Sequence, residues 1–252
     1  EAPEAYENKS WLNKYEDAFG EIDFKMLKSL KPISGDYTGV YLDKKLIAVL
    51  DGEKNKKYAI AADIGTTTVA MVLIDVENME VSAKRSFINP QIEFGSDVLT
   101  RISAVLESED NLFKMQSLIT AAVKKTAFEM IDELQVNPDF VYEIVFSANS
   151  VMNHILLGIN PRVLGTAPYK NVFDKMLNFK ASEIGLHIGA HTHALILPSV
   201  SSYIGADIVS GINFIEMEKL KTNTLFIDIG TNTELVLKHG SSFFATSCAA
   251  GP

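Results

Sequence analysis

The tetrapeptide Asp-Ile-Gly-Thr occurs twice in this 252-residue chain, at Asp63–Thr66 and at Asp228–Thr231. Each copy follows an apolar run with strand character, Tyr58–Ala62 and Thr224–Ile227, and each precedes another, Val69–Ile74 and Leu235–Leu237. The repeated unit therefore reads strand, tight turn, strand, with an aspartate entering the turn. The glycine allows close backbone approach and a positive φ. Turn N–H groups and hydroxyls can cradle phosphate oxygens. An aspartate beside phosphate makes sense only with a cation between them. Two such hairpins from two pseudo-equivalent halves could clamp one nucleoside triphosphate with Mg²⁺ from both sides. Two ordinary β-turns are the plain alternative, and the matched flanks argue against it.

The residues assigned to that clamp follow. Asp63 and Asp228 organise Mg²⁺, directly or through water, and Asp228 is also placed to orient an attacking water. Thr66, Thr67, Thr231, Asn232 and Thr233 supply donors to phosphate. Gly65 and Gly230 make room. Thr68 points either to phosphate or into the core. Asp207, early in the helix that precedes the second hairpin, is either a site carboxylate or a solvated one. Glu234 is equally a sheet-surface charge or a site residue.

The remaining composition narrows the class. The net charge of −9 disfavours bulk binding to nucleic acid or anionic membrane. No apolar run is long enough to span a bilayer. Cys248 is the single cysteine, so no intrachain disulfide and no self-contained thiolate cluster can form. A small buried side chain is the expected role of Cys248, and a reducing cytoplasm fits. His187, His191 and His193 lack a third ligand of obvious spacing, so a metal role is not assigned to them. His154 is expected at the edge of the core. A start without methionine and an end at Gly251-Pro252 after a strand-like run read as those of a piece of a longer protein.

Along the chain, residues 1–57 are read as the tail of a small α/β domain and a linker. Helical spacing covers Trp11–Phe19 and Phe24–Leu30, a hairpin turns at Asp43-Lys44-Lys45, and a polar linker runs from Asp51 to Lys57. Strands are predicted at 58–64, 68–75 and 80–88. A helix capped by Ser96 follows, then a long helix over 111–134 with Leu112, Met115, Ile119, Val123, Ala127, Met130 and Leu134 on one face. Val141–Phe146 is a buried strand, Val151–Leu157 a helix capped by Asn149 or Ser150, and 158–168 a loop. Leu195–Leu197 is short and apolar, and Ser201–Met217 is helical. The division expected is 1–57, then 58–222 as the first half of a larger domain, then 223–252 as the start of its second half.

The order β-β-β-α-β-α before the second motif, with Asp63–Thr68 and Asp228–Thr233 as two phosphate motifs, resembles an actin-like, ribonuclease H-like α/β ATPase domain. The superfamily is that of acetate and sugar kinases, heat-shock chaperones and actin. Within it the chain is most similar to the reductive activators of corrinoid proteins. Asn89–Asp97, Asn149–His154, Leu197–Gly211 and Cys248–Pro252 carry that likeness together with the two hairpins. The resemblance implies ATP and Mg²⁺ as cofactors and a corrinoid protein of a methyl-transfer system as partner. It implies ATP-driven return of inactive Co(II) corrinoid to Co(I). The electron passes through a [2Fe–2S] domain that this chain does not carry, from a donor the sequence does not name. A homodimer stays open. Two other readings stay open as well: a small-molecule kinase of the same superfamily and a non-catalytic nucleotide-gated module.

Overall fold

The computed structural model describes residues 10–22, 24–28, 36–42, 44–52 and 56–249. Contacts divide the chain into two units, residues 1–56 and 57–252.

In the first unit, helix α1 (Trp11–Phe19) starts at Ser10, whose hydroxyl accepts from the Asn13 N–H. A short helix α2 (Phe24–Leu27) follows, then strands β1 (Tyr37–Leu42) and β2 (Lys45–Asp51), paired antiparallel. Tyr15, Ile22 and Leu46 form the small core. The hairpin matches expectation. Ser29 and Leu30 of the expected second helix, Asp43 of the turn and 53–55 of the linker lie outside the described residues.

In the second unit, strands β3 (Tyr58–Ile64), β4 (Thr68–Asp75) and β5 (Glu80–Ile88) form an antiparallel meander with the limits expected. A 3₁₀ turn at Pro90–Phe94 leads to α3 (Val98–Glu107) and the long α4 (Asp110–Glu133). Asp97, not Ser96, caps α3: its carboxylate accepts from the Leu99 and Thr100 N–H groups while Thr100 reaches back, a capping box. Strand β6 (Val141–Ala148) lies parallel to β3, and α5 (Ser150–Leu156) starts from the Asn149 cap. After α6 (Arg162–Gly165) come β7 (Leu177–Lys180) and β8 (His193–Ile196), the latter parallel to β6. The sheet order is β5-β4-β3-β6-β8-β7.

Periodicity explains the packing. Ile60, Ala62 and Ile64 of β3 and Val69, Met71 and Leu73 of β4 are buried on one face. They share a core with Leu112, Met115, Ile119, Val123, Ala127 and Met130, the face read along α4. Leu134, assigned to that stripe, lies just past the helix and is exposed. The opposite alternation places Asp63 and Thr68 away from that core.

Three segments differ from expectation. Helix α7 covers only Ala206–Phe214 within the predicted 201–217. Upstream, Ser201 holds the Ile204 N–H with its side chain, the local competition that keeps serine runs out of helices. Downstream, Glu216 adopts a left-handed φ of 49° and the helix has ended. Strand β7 and helix α6 went unpredicted; each has four residues, too short for a period to show.

The last element is a three-stranded sheet ordered β11-β10-β9, built from β9 (Thr224–Ile229), β10 (Asn232–His239) and β11 (Ser242–Ala249). Helix α7 joins it to the larger sheet. Ser210 meets Ser147 of β6 at 3.2 Å, and Ile208, Phe226 and Val236 share a second core cluster. Cys248 is exposed on β11, an edge strand; the expectation of a buried cysteine is corrected, because this edge has no covering layer among the described residues. The actin-like α/β architecture read from element order is the observed one.

Candidate functional site

The two Asp-Ile-Gly-Thr hairpins converge. The hydroxyls of Thr67 and Thr231 lie 3.2 Å apart although 164 residues separate them in sequence. Asp63 sits at the end of β3 and Asp228 at the end of β9. The carboxyl of Asp63 is pushed up from the usual carboxylate range, first by desolvation and then by the charge of Asp228. Its residue surface is open to solvent, so it is not a core position.

Asp207, in the first turn of α7, completes the cluster. Burial raises its carboxyl to about 6, the Ile208 N–H opposes that, and Glu234, Asp63 and Asp228 all add to it. The N-cap Gly205 explains how the helix reaches this place. A Cβ there would meet the Asn149 Cα at 2.5 Å and the Ala148 carbonyl at 2.8 Å, so only glycine lets α7 start against the end of β6.

The two hairpins are not identical. Ile64 pairs with Val69, leaving 65–68 between them, whereas Ile229 pairs with Thr233, leaving 230–232. That one-residue difference sets what faces each aspartate. Asp63 is opposite Ala70, but Asp228 is directly opposite Glu234. Like charges in that relation are destabilising in a sheet. Glu234, left open by the sequence, thus belongs to the cluster. Its carboxyl is raised by burial and by Asp228, while a hydrogen bond of 2.9 Å from Ser247 opposes the rise.

The first turn is gripped from behind by residues to which the sequence assigned no role. The Asn89 side-chain amide donates to the Gly65 carbonyl at 2.8 Å, and the Asn89 N–H donates to the Thr67 carbonyl at 2.8 Å. The Arg101 guanidinium donates to the Thr66 carbonyl at 2.6 Å, to Gln91 Oε1 at 3.2 Å, to the Gly95 carbonyl at 3.1 Å and to the Met152 sulfur at 2.9 Å. Asn89, Gln91 and Arg101 are fully buried. Burial lowers Arg101 to about 10, with Asp97 opposing, so it stays cationic at neutral pH. Asn89, Gln91, Asn149 and Met152 belong to the segments that carry the family likeness; a polar residue inside an apolar packing pattern was the available signal.

Thr66 differs from its expected role. It is buried, and its hydroxyl accepts from the Asn149 side chain at 3.1 Å, so the side chain is committed inward. Its backbone N–H has no protein acceptor among the described residues. Thr68 is exposed rather than in the core, and Thr67 is exposed beside Thr231. Gly65 has no positive φ. A Cβ on it would stand 2.5 Å from the Thr68 carbonyl oxygen, so close approach is what requires glycine. Gly230 is less constrained, with the Asn232 oxygen 3.3 Å from a built Cβ. Asn232 and Thr233 start β10 and are half-buried.

Asp207 lies within electrostatic reach of Asp63, Asp228 and Glu234, so negative charge is concentrated where the two hairpins meet. Among the described residues no three His, Cys, Asp or Glu side chains are close enough to hold a metal directly. That suits Mg²⁺ held largely through its waters and phosphate oxygens, with one or two carboxylates. His193 Nδ1 is 2.8 Å from the Asn178 side chain, a structural pairing. His154 is buried, its Nδ1 bonded to the Ser150 carbonyl and its ring stacked on Phe173. A hollow of about 260 Å³ between β5 and α4, lined by Arg85, Phe87, Ile88, Pro90, Lys125 and Glu129, shares no residue with this cluster. It lacks the paired motifs and carboxylates, so the chemistry is assigned to the hairpins. No helix of the described residues is long and apolar enough to cross a membrane.

Comparisons with known proteins bear on the family and the fold. Residues 58–220 match the family model described as the RACo middle region, and residues 222–252 match the C-terminal domain of RACo, the ASKHA domain. The corrinoid activation enzyme RamQ of Eubacterium limosum is 30% identical over 201 residues, which is 79% of this chain and 34% of RamQ. The [Co(II) methylated amine-specific corrinoid protein] reductase of Methanosarcina barkeri is 24% identical over 201 residues, 77% of this chain and 36% of the reductase. A solved structure described as a reductive activator for corrinoid, iron-sulfur protein superposes with a TM-score of 0.87 at 28% identity, over 100% of this chain and 43% of that one. The chain therefore spans about a third of the length of the curated relatives it matches. With the family model covering residues 58–220, the chain belongs to the RACo family of corrinoid activators.

Proposed function

We propose that this chain is part of an ATP-dependent reductive activator that returns an inactive Co(II) corrinoid protein to Co(I). The observation that carries the reading is the meeting of the two hairpins at Thr67 and Thr231, with Asp63, Asp207, Asp228 and Glu234 around one space. The corrinoid target is supported by family membership and by the names of the relatives.

In this reading the N–H groups of the first turn and the Thr67 and Thr231 hydroxyls bind phosphate, with Asn232 and Thr233 at the second turn. Asp63 and Asp228 would hold Mg²⁺, and Glu234 and Asp207 add negative potential. When bound, Mg²⁺ neutralises phosphate charge. Asp228 would also orient a water against the terminal phosphate. ATP shifts only a conformation that it binds preferentially. Closure of the two hairpins on nucleotide is therefore the step through which ATP would drive electron transfer. One cysteine cannot ligate an iron–sulfur cluster alone, so the [2Fe–2S] centre belongs to another part of the longer protein. We assign 58–222 and 223–252 to the two halves of one ATPase domain, and 1–57 to the tail of a middle domain and its linker. The division of compact units at 56–57 supports the first boundary; the family models also meet at 220–222, although their own name for residues 58–220 is the middle region and they reserve the ASKHA domain for 222–252.

The test follows the conversion of Co(II) to Co(I) corrinoid optically, with ATP, in the full-length protein and in Asp228→Ala. Loss of one such electrostatic group is expected to slow turnover by about 10²-fold or more, with the iron–sulfur spectrum unchanged. Equal rates would make Asp228 a turn residue and remove the basis of the reading.

A further inference from the structure

We propose that Arg101 and Asn89 act as positioning residues, a buried clamp that aims the first phosphate turn by holding three successive carbonyls. It rests on the nucleotide reading above.

The geometry is that of the trans peptide, in which C=O and N–H point in opposite directions. Asn89 Nδ2 holds the Gly65 oxygen, Arg101 Nη2 holds the Thr66 oxygen, and the Asn89 N–H holds the Thr67 oxygen. With the Gly65 carbonyl held by Asn89 and the Thr66 carbonyl held by Arg101 of α3, the N–H groups of Thr66 and Thr67 must face away from those partners. The Thr67 side chain on the same turn meets Thr231 of the second hairpin. Neither N–H has a protein acceptor among the described residues. Two adjacent outward N–H groups form an anion-binding concavity.

Arg101 adds charge to aim. Every hydrogen-bond acceptor around it is neutral: two carbonyls, the Gln91 amide and the Met152 sulfur. A buried cation without a carboxylate in contact is costly. Placed one peptide behind a turn that receives a triphosphate, the same cation is compensated by the ligand. Its bond to the Thr66 oxygen also polarises that peptide and strengthens the Thr67 N–H as a donor. Asn89 cannot be replaced by a generic polar residue, because its Oδ1 is occupied in accepting from the Gln91 N–H at 3.0 Å. The amide is thus used at both ends. This gives a role to the Asn89-Pro90-Gln91 and Asn149–Met152 segments, which the site chemistry leaves unexplained.

The experiment measures dissociation constants of Mg·ATP, by calorimetry, and of adenosine, by competition, on the full-length protein. The variants are Arg101→Met, Arg101→Lys and Asn89→Asp. Arg101→Met is expected to weaken Mg·ATP by about tenfold or more, the scale of one charge at short range in protein surroundings. Adenosine affinity should stay within about twofold, because the clamp acts on the phosphate end alone, and Arg101→Lys should restore part of the loss. Asn89→Asp keeps the acceptor for Gln91 but sets a carboxylate against the Gly65 oxygen. It should show the same selective loss, and it carries the test if Arg101→Met does not fold. Equal Mg·ATP affinity in the variants, or equal losses for Mg·ATP and adenosine, would overturn the clamp while leaving the nucleotide reading intact. Wild-type protein that does not bind Mg·ATP would overturn both.

Discussion

Replacing Asp207 by asparagine should make this protein more stable while impairing its site. Burial, together with the charges of Glu234, Asp63 and Asp228, raises the Asp207 carboxyl from 3.8 to about 6. Each pH unit of such a rise is worth about 1.4 kcal/mol between the two protonation states, so the ionised carboxylate costs roughly 3 kcal/mol at neutral pH. Asparagine removes that charge and keeps an oxygen for the Ile208 N–H, which Asp207 Oδ1 accepts at 2.9 Å. One favourable term is lost: an acid in the first turn of a helix gains about 0.3–1 kcal/mol from the dipole. The desolvation and repulsion win, and the net expectation is a gain of about 2 kcal/mol, or about 4–8 °C in Tm for a unit of this size. Because the folded carboxyl is raised, the folded state binds the extra proton, and stability falls as pH rises through the folded value. The advantage of asparagine is therefore full above pH 6, fades between 6 and 3.8, and is absent below. Denaturant titrations followed by circular dichroism in EDTA, from pH 8 to 4, read this out. A variant that is less stable at pH 7.5, or whose advantage does not shrink on acidification, would refute the argument that burial and the charges of Asp63, Asp228 and Glu234 raise the Asp207 carboxyl.

Much of the fold was legible because its signals are local. The limits of β3, β4 and β5 match the strands read between turn residues, and the buried face of α4 follows from a period that six of its seven assigned residues obey in the structure. The elements that escaped have four residues or begin in serine-rich chain, where no period can build. The site was half legible. Asp63 and Asp228 were marked by repetition, and the contact between Thr67 and Thr231 puts their turns together. Glu234 was not, because its place opposite Asp228 depends on the second loop being one residue shorter than the first, a matter of register that identical tetrapeptides conceal. Arg101 was illegible for another reason. On paper it is one basic residue in an amphipathic helix, and only the chain crossing of α3 behind the first turn buries it against the Thr66 carbonyl. Repeats report what two halves share; the differences in register and support that make the halves unequal are written in tertiary contacts.

Two further outcomes follow from single positions. Gly65→Ala forces a Cβ to within 2.5 Å of the Thr68 oxygen and should cost about 1–3 kcal/mol of stability, with nucleotide affinity reduced more than in a Gly230→Ala control, where the nearest atom is 3.3 Å away; equal affinities in the two variants would contradict the role given to close approach. His154 should make stability fall on mild acidification. Its ring is buried, Nδ1 lies 2.7 Å from the Ser150 carbonyl, and Nε2 accepts from the Val172 N–H, so Nδ1 carries the proton and the folded state holds a neutral imidazole. Desolvation lowers its pKa below 6.5, with the Ser150 bond opposing. The unfolded chain therefore binds the extra proton first, and stability present above pH 6.5 is lost as pH falls below it, with a slope of at most about 1.4 kcal/mol per pH unit. A second proton on Nε2 would also turn it toward the Val172 N–H as donor against donor, which frees the segment that packs Phe173 on the ring. In His154→Phe the two hydrogen bonds are lost, at about 1 kcal/mol each, but nothing titrates. Unfolding free energies of wild type and variant measured between pH 8 and 5.5 should run parallel above 7 and converge below it, and curves that stay parallel throughout would mean that His154 titrates alike in the folded and the unfolded protein.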